Sequence, residues 1–354
     1  MPVKAVKYIS KHNFADFLVE ERLKQNIIAK GYVRPTPIQD EAIPEILQGR
    51  DIVGIANTGT GKTAAFLIPL IHKVMIGNNE QVLIVAPTRE LAVQINQELK
   101  EFIGNMKMYS VCVVGGAPIG SQIRELRYFN SFVIGTPGRI KDLIERRVLN
   151  LSKFKTVVLD EADRMLDMGF IGDMRLLMSQ MSSDRHTLFF SATLSSDIEK
   201  LIKDFLKDPV RISVKTGETA KNVLQDAIKV RQGTTKIDIL HDLLNKKEFE
   251  KVLVFGRTKR GVESLSKALT QRGFSSASIH GNKNQSQRQR ALSDFKTNRA
   301  RILVATDVAA RGLDIPDVSH VINFDVPATH EDYIHRIGRT GRGDKLGKAL
   351  TFID

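Results

Sequence analysis

Short apolar runs alternate along this chain with longer stretches whose apolar residues recur at helical spacing. The runs DIVGIA (51–56), VLIVAP (82–87), YSVCVV (109–114), SFVIGT (131–136), TVVLD (156–160) and TLFFSA (187–192) predict strands. Between them TAAFLIPLIHKVM (63–75), RELAVQINQELKEFI (89–103) and GRIKDLIERRV (138–148) predict helices. Within 89–103 the apolar positions 91, 92, 95, 99, 102 and 103 form a single helical stripe. Such alternation implies an α/β fold, a mainly parallel sheet covered by helices on both faces.

The pattern restarts after a polar, poorly periodic stretch, KTGETAKN (215–222), which reads as a linker. KVLVFG (251–256), SSASIHG (275–281), RILVAT (301–306), VSHVINFD (318–325) and KALTFI (348–353) then predict strands, with helical VESLSKALTQRG (262–273) and QSQRQRALSDFK (285–296) among them. The reading is two tandem α/β domains, 1–214 and 223–354, on a short tether, in keeping with a length of 354 residues.

Composition narrows the class. Hydrophobic residues make up 42% and charged residues 26%, an ordinary balance for a globular protein. The formal net charge is +13, of which residues 1–222 carry +5 and the shorter remainder +8. That excess fits a polyanionic partner, either nucleic acid or an anionic membrane surface. No apolar stretch is long enough to span a bilayer, and MPVKAVKYIS lacks the apolar core of a signal peptide. The single cysteine, Cys112, rules out an internal disulfide and fits a reducing compartment. A cytoplasmic location is expected.

Chemistry enters at ANTGTGKT (56–63), between a predicted strand and a predicted helix. Gly59 and Gly61 let backbone N–H groups converge, and the helix beginning near Lys62 adds its positive end. In a phosphate loop of this kind Lys62 reaches the β- and γ-phosphates and Thr63 ligates Mg²⁺. Ala56 stands where the usual pattern has glycine. Farther on, VVLDEAD (157–163) runs three apolar residues into Asp160, Glu161 and Asp163. Acids this close repel one another, so either a cation sits there or the turn is an ordinary solvated one. In sheets of this type ligands gather at the carboxyl ends of strands. Asp160 is then suited to hold Mg²⁺ through water, Glu161 to act as general base, and Asp163 to orient its neighbours.

Taken together, GYVRPTPIQ (31–39), ANTGTGKT, PTRELA (87–92), GG (115–116), TPGR (136–139), DEAD (160–163), SAT (191–193), QSQR (285–288), ATDVAARGLD (305–314) and HRIGRTGR (335–342) resemble the DEAD-box ATP-dependent RNA helicases of superfamily 2. The resemblance extends from about Phe14 to Asp354, and residues 279–296 lean toward the bacterial RhlE-like branch. In VFGRTK (254–259) Gly256 stands where the family frequently has a larger residue, and the family implies at least a further helix beyond TFID.

The resemblance implies two tandem RecA-like domains and a set of roles. ATP with Mg²⁺ would lie on Ala56, Asn57, Thr58, Gly59, Thr60, Gly61, Lys62 and Thr63. Gln39 would pair with the adenine edge, Phe14, 17 positions before Gly31, would stack on the base, and Asp314 would bind the ribose. Arg339 and Arg342 would be arginine fingers from the second domain, so hydrolysis would require the domains to close on one nucleotide. Asp163, Ser191, Thr193 and His335 would couple closure to the first domain. An RNA backbone would run over Thr88, Arg89, Gly116, Thr136, Gly138 and Arg139, then over Gly281, Arg288, Thr306 and Arg311, without base reading. The implied activity is RNA-stimulated ATP hydrolysis with local duplex unwinding or remodelling of RNA–protein complexes. An ATP-gated RNA clamp with little unwinding is the alternative, and a DNA-directed translocase a more distant one.

Overall fold

The structure, a computed structural model, describes residues 8–57, 59–77, 79–214, 222–230, 233–310, 315, 317–341 and 346–353. The chain divides into two compact units, Met1–Thr216 and Gly217–Asp354. Of the expected linker only Asn222 is among the described residues.

The first unit is built on seven strands: β1 (Ile52–Ile55), β2 (Val82–Val85), β3 (Ser110–Val113), β4 (Phe132–Gly135), β5 (Thr156–Leu159), β6 (His186–Ser191) and β7 (Val210–Ser213). All pair in parallel, in the order β3-β4-β2-β5-β6-β1-β7. Its helices are α1 (Glu21–Ala29), α2 (Pro37–Leu47), α3 (Lys62–Ile76), α4 (Arg89–Ile103), α5 (Ile119–Glu125), α6 (Pro137–Glu145), α7 (Ala162–Asp167), α8 (Ile171–Ser179) and α9 (Ser196–Phe205). The unbroken apolar runs follow from burial on both faces. Val82 and Ile84 of β2 join the core on one side of the sheet, and Leu83 and Val85 join the core on the other.

The second unit repeats the plan with β8 (Val223–Lys229), β9 (Val252–Phe255), β10 (Ser276–Ile279), β11 (Ile302–Ala305), β12 (His320–Asn323) and β13 (Gly347–Ile353), in the parallel order β10-β11-β9-β12-β13-β8. Helices α10 (Lys236–Leu244), α11 (Lys259–Gln271), α12 (Gln285–Lys296), α13 (Asp307–Ala310) and α14 (His330–Ile337) complete it. Here too Val252 and Val254 face one core, and Leu253 and Phe255 the other.

Candidate nucleotide and nucleic-acid site

The phosphate loop leaves β1 and enters α3 through Gly61, whose φ of +92° lies in the left-handed region. A Cβ there would stand 2.3 Å from Gln39 Nε2, so glycine is required by conformation and by space. Lys62 is buried, and its Nζ donates to the Ala56 carbonyl at 2.7 Å across the loop. Thr60 Oγ1 donates to Asn57 O at 2.8 Å. These contacts curl the loop around its own centre, as a phosphate cradle requires.

Gln39, in the first turn of α2, is 2% exposed. Its Oε1 accepts Thr36 N–H at 2.9 Å and its Nε2 donates to Gly61 O at 3.0 Å. The side chain therefore fastens α2 to the phosphate loop, while each end of the amide keeps one further valence. Phe14, the ring expected beside the adenine, is 1% exposed and packs edge-on against Phe17 and Tyr32. The neighbouring Asp40 collects Tyr8 Oη at 2.6 Å, Lys11 N–H at 2.7 Å and His12 Nδ1 at 2.6 Å. Burial opposes ionisation of Asp40, but these bonds outweigh it and hold the carboxyl below its ordinary range.

The acids lie where β5 ends. Asp160 is buried, and that burial pushes its carboxyl up to about 6; the Lys62 charge opposes the rise and Glu161 adds to it. Glu161 is the residue before α7 and takes a left-handed backbone at φ 52°, an unfavourable conformation for a residue with a side chain. Its Oε2 meets Arg164 Nη1 at 2.8 Å, with both side chains buried. Asp163 Oδ2 accepts Ala192 N–H at 3.0 Å, Thr193 N–H at 3.1 Å and Thr193 Oγ1 at 3.3 Å, and Oδ1 accepts Arg164 N–H at 3.0 Å. Ser191 Oγ donates to Thr193 O at 2.8 Å, and Ala56 N–H donates to Ser191 O at 3.0 Å. The phosphate loop, the SAT turn and the acidic turn thus form one bonded set.

Mg²⁺ fits this donor set. Thr63 and Asp160 offer hard oxygens, and among the described residues no cluster of three or more His, Cys, Asp or Glu could hold a metal. Such a site suits an ion that arrives with phosphates and keeps much of its water.

The first-unit residues expected to meet RNA follow β2, β3 and β4. Arg89 lies across the Gly115–Gly116 turn. Gly116 has φ +74°, and a Cβ there would stand 2.0 Å from Arg89 Nη1. Thr88 caps α4, its Oγ1 accepting Leu91 N–H. Thr136 precedes α6, and Gly138, in the first turn of α6, is exposed with open space where a Cβ would be. Arg139 Nη1 donates to Gln122 Oε1 at 2.9 Å and to Ala117 O at 3.3 Å, so the guanidinium braces the loop after β3.

In the second unit Gly281 follows β10, Arg288 lies on α12, Thr306 follows β11, and His335 and Arg339 lie on and just after α14. Arg288, Thr306 and Arg339 are buried and His335 is partly so. Thr58, Arg311, Asp314 and Arg342 lie outside the described residues.

Three supporting groups were not read from the sequence. Arg336 donates Nε and Nη2 to Asp307 at 2.6 and 2.8 Å and Nη1 to Asp325 O at 2.7 Å, and packs over Phe255. Glu263 Oε2 meets Ser278 Oγ at 2.7 Å, His280 Nε2 at 3.0 Å and Lys283 Nζ at 3.3 Å, fixing the turn that carries Gly281. The bonds from Ser278 and His280 lower Glu263 to about 2, against the effect of burial. Arg164 carried a signal that went unused, three residues after Glu161 at helical spacing. Glu263 and Asp307 had none, because their partners are distant in sequence.

Two parallel sheets wrapped in helices, with a glycine-rich phosphate loop after the first strand of one, define a P-loop nucleotide-binding protein made of tandem RecA-like domains. The DEAD/DEAH box helicase pattern matches residues 36–201 and the helicase conserved C-terminal domain matches residues 235–344. The chain is 46% identical over 342 residues to an ATP-dependent RNA helicase, CshA, of Listeria monocytogenes, covering 96% of this chain and 66% of that relative's length. It is 40% identical to a DEAD box protein of known crystal structure from the hyperthermophile Methanococcus jannaschii, at TM-score 0.57, covering 98% of this chain and 94% of that one. It is 29% identical, at TM-score 0.85, to Saccharomyces cerevisiae Dbp5 bound to RNA and ADP BeF3, covering 96% of this chain and 89% of that one. The chain belongs to the DEAD-box helicase family.

Proposed function

We propose that this chain is an ATP-dependent RNA helicase whose ATP hydrolysis is stimulated by RNA and drives local strand separation. The observation that carries this reading is the bonded set joining the phosphate loop, Ser191–Thr193 and Asp163, because it ties the place of hydrolysis to the turns beside it. The sheet order supports it as well. Residues suited to nucleotide follow β1, β5 and β6, and those suited to RNA follow β2, β3 and β4, so each function occupies one half of the sheet.

In the proposed mechanism the loop N–H groups and Lys62 hold the triphosphate, and Thr63 with Asp160 would hold its Mg²⁺. When bound, the ion would supply charge neutralisation to the triphosphate. Glu161 accepts the proton of the attacking water. Arg164 occupies Oε2, which leaves Oε1 for that proton. Arg339, from the second unit, stabilises charge on the transferring phosphoryl, an effect worth roughly 10³–10⁵ in rate. Hydrolysis accordingly depends on both units, and RNA promotes it. Backbone contacts without base reading would make RNA recognition sequence-tolerant, and a cytoplasmic location accords with the single thiol. The RhlE-like placement rests on residues 279–296 alone.

The test is steady-state ATPase activity with and without single-stranded RNA. RNA should raise the rate, Lys62→Ala and Arg339→Ala should abolish it, and Glu161→Gln should abolish turnover while retaining ATP binding. A rate indifferent to RNA refutes the coupling. Absence of strand displacement alongside RNA-stimulated hydrolysis favours the clamp.

A further inference from the structure

Exposed aromatic side chains are few among the described residues: Tyr8, Tyr109, Tyr128 and Phe129. Three of them gather at one corner of the first unit. Tyr109 leads into the edge strand β3, and its carbonyl accepts Phe132 N–H at the start of β4. Tyr128 and Phe129 form the turn just before that strand and are 77% and 48% exposed. The turn is braced. Asn130 Nδ2 donates to Glu125 O at 3.0 Å and to Tyr128 O at 2.9 Å, and Gln81 Nε2 donates to Asn130 O at 2.9 Å. The rings are thus presented on a fixed support, Tyr128 largely and Phe129 about half in solvent.

Beside them a groove of about 290 Å³ runs past Arg127, Asn150 and Lys153. No acidic side chain is among the residues that line it. The adjoining segment 146–159 carries four cationic residues and no acid. This corner lies at the strand-start end of the sheet. The phosphate loop, the acids and the first-unit RNA candidates all lie at the strand ends, so the groove is separate from the site described above.

We propose that this corner is a second binding site for single-stranded RNA, independent of nucleotide, in which bases stack on Tyr128 and Phe129 while Arg127 and Lys153 take the adjoining phosphates. Flat rings in solvent suit bases, every one of which has a π face, and cations without carboxylates suit phosphates. An acidic protein would satisfy the cations but would leave the rings without planar partners. The inference rests on the RNA reading given above. A contact of this kind would keep RNA attached while the hydrolytic site releases and regrips it.

The experiment titrates the full chain, without nucleotide, into a labelled single-stranded RNA of about 12 nucleotides, within the range of known single-strand sites. Tyr128→Ala/Phe129→Ala should weaken binding at least about fivefold, the lower end for loss of a stacked base. Lys153→Gln should reduce the slope of log affinity against log salt by about 0.7–1. Ultraviolet crosslinks should fall on Tyr128, and RNA-independent ATPase and melting temperature should match the parent. Parent-like affinity and salt slope in both variants overturn the second site, leaving the corner to a protein partner. A parent that itself fails to bind RNA overturns the RNA reading and this site together.

Discussion

Replacing Asp163 by Asn changes one atom of a side chain that accepts four hydrogen bonds. Oδ2 takes Ala192 N–H, Thr193 N–H and Thr193 Oγ1, and Oδ1 takes Arg164 N–H. An amide has one acceptor oxygen. Turned toward Ala192 and Thr193, it sets its NH₂ against Arg164 N–H, two donors about 3 Å apart where one bond had been. Turned the other way, it opposes two N–H donors at 3.0 and 3.1 Å. The first arrangement is the better one. It forfeits one charge-assisted bond outright and weakens the others by removing the charge. With Asp163 5% exposed, water offers little replacement. Bonds to charged groups contribute about 1.5–3 kcal/mol each, so the expected loss is about 2–4 kcal/mol of unfolding free energy. Urea unfolding measures it. The same variant should retain ATP binding, since Lys62 and the loop are untouched, and should lose strand displacement more than ATPase, because the SAT turn is no longer tied to the acidic turn. A variant that unfolds within about 0.5 kcal/mol of the parent, inside the scatter of ordinary surface changes, and separates duplexes at the parental rate refutes this assignment of Asp163.

Gly116→Ala forces a Cβ into a left-handed residue and onto Arg89 Nη1. About 1 kcal/mol of stability should be lost and RNA affinity should fall with ATP affinity intact, as read by melting curves and RNA titration; unchanged RNA affinity would deny Arg89 a place in the track. Arg336→Lys keeps the charge but cannot reproduce the paired bonds to Asp307 together with those to Asn323 and Asp325 O, so unfolding free energy should drop by about 2–4 kcal/mol. A loss near zero would mean that the network is dispensable. His320, stacked on Phe249 and buried, is lowered to about 4 by that burial and by Lys348. The unfolded chain, with a histidine near 6.5, then binds more protons between pH 4 and 6.5, so stability falls as pH drops through that window, by at most about 1.4 kcal/mol per unit. His320→Leu should flatten this acid limb in a series of melting curves, and an unaltered limb would place the proton uptake elsewhere.

The central strands were legible because burial on both faces writes them as unbroken apolar runs, as in VLIV and ILVA. Two of the four edge strands, β7 and β8, were not. β7 reads VRIS with only Ile212 fully buried, and β8 reads VLQDAIK with Val223 alone buried, so neither presents an apolar run or a clean alternation. Helix α1 was missed for a similar reason, since it buries only Leu23 and Ile27. In the site, residues whose role depends on backbone shape were legible from glycine spacing. Contacts to partners far along the chain were not. Nothing in the sequence marks the bonds of Arg139 to Gln122 and Ala117 O, or the packing of Phe14 against Phe17 and Tyr32.

Strand order is the part that motif order cannot convey. In sequence the phosphate loop comes first and the DEAD turn about 100 residues later, with three RNA motifs between them. In the sheet, β5 stands between β2, which leads to Thr88 and Arg89, and β6, which leads to Ser191–Thr193; β1 with the phosphate loop lies just beyond β6. The DEAD turn is therefore the boundary between the half of the sheet suited to RNA and the half suited to nucleotide. Glu161 and Asp163, two residues apart, divide the work at that boundary. Glu161, the proposed base, has a strained backbone, and Asp163 bonds the neighbouring SAT turn. A shift of the α7 N-terminus would move both carboxylates at once, so proton acceptance and the grip on Ser191–Thr193 would change in a single step without any longer pathway between them.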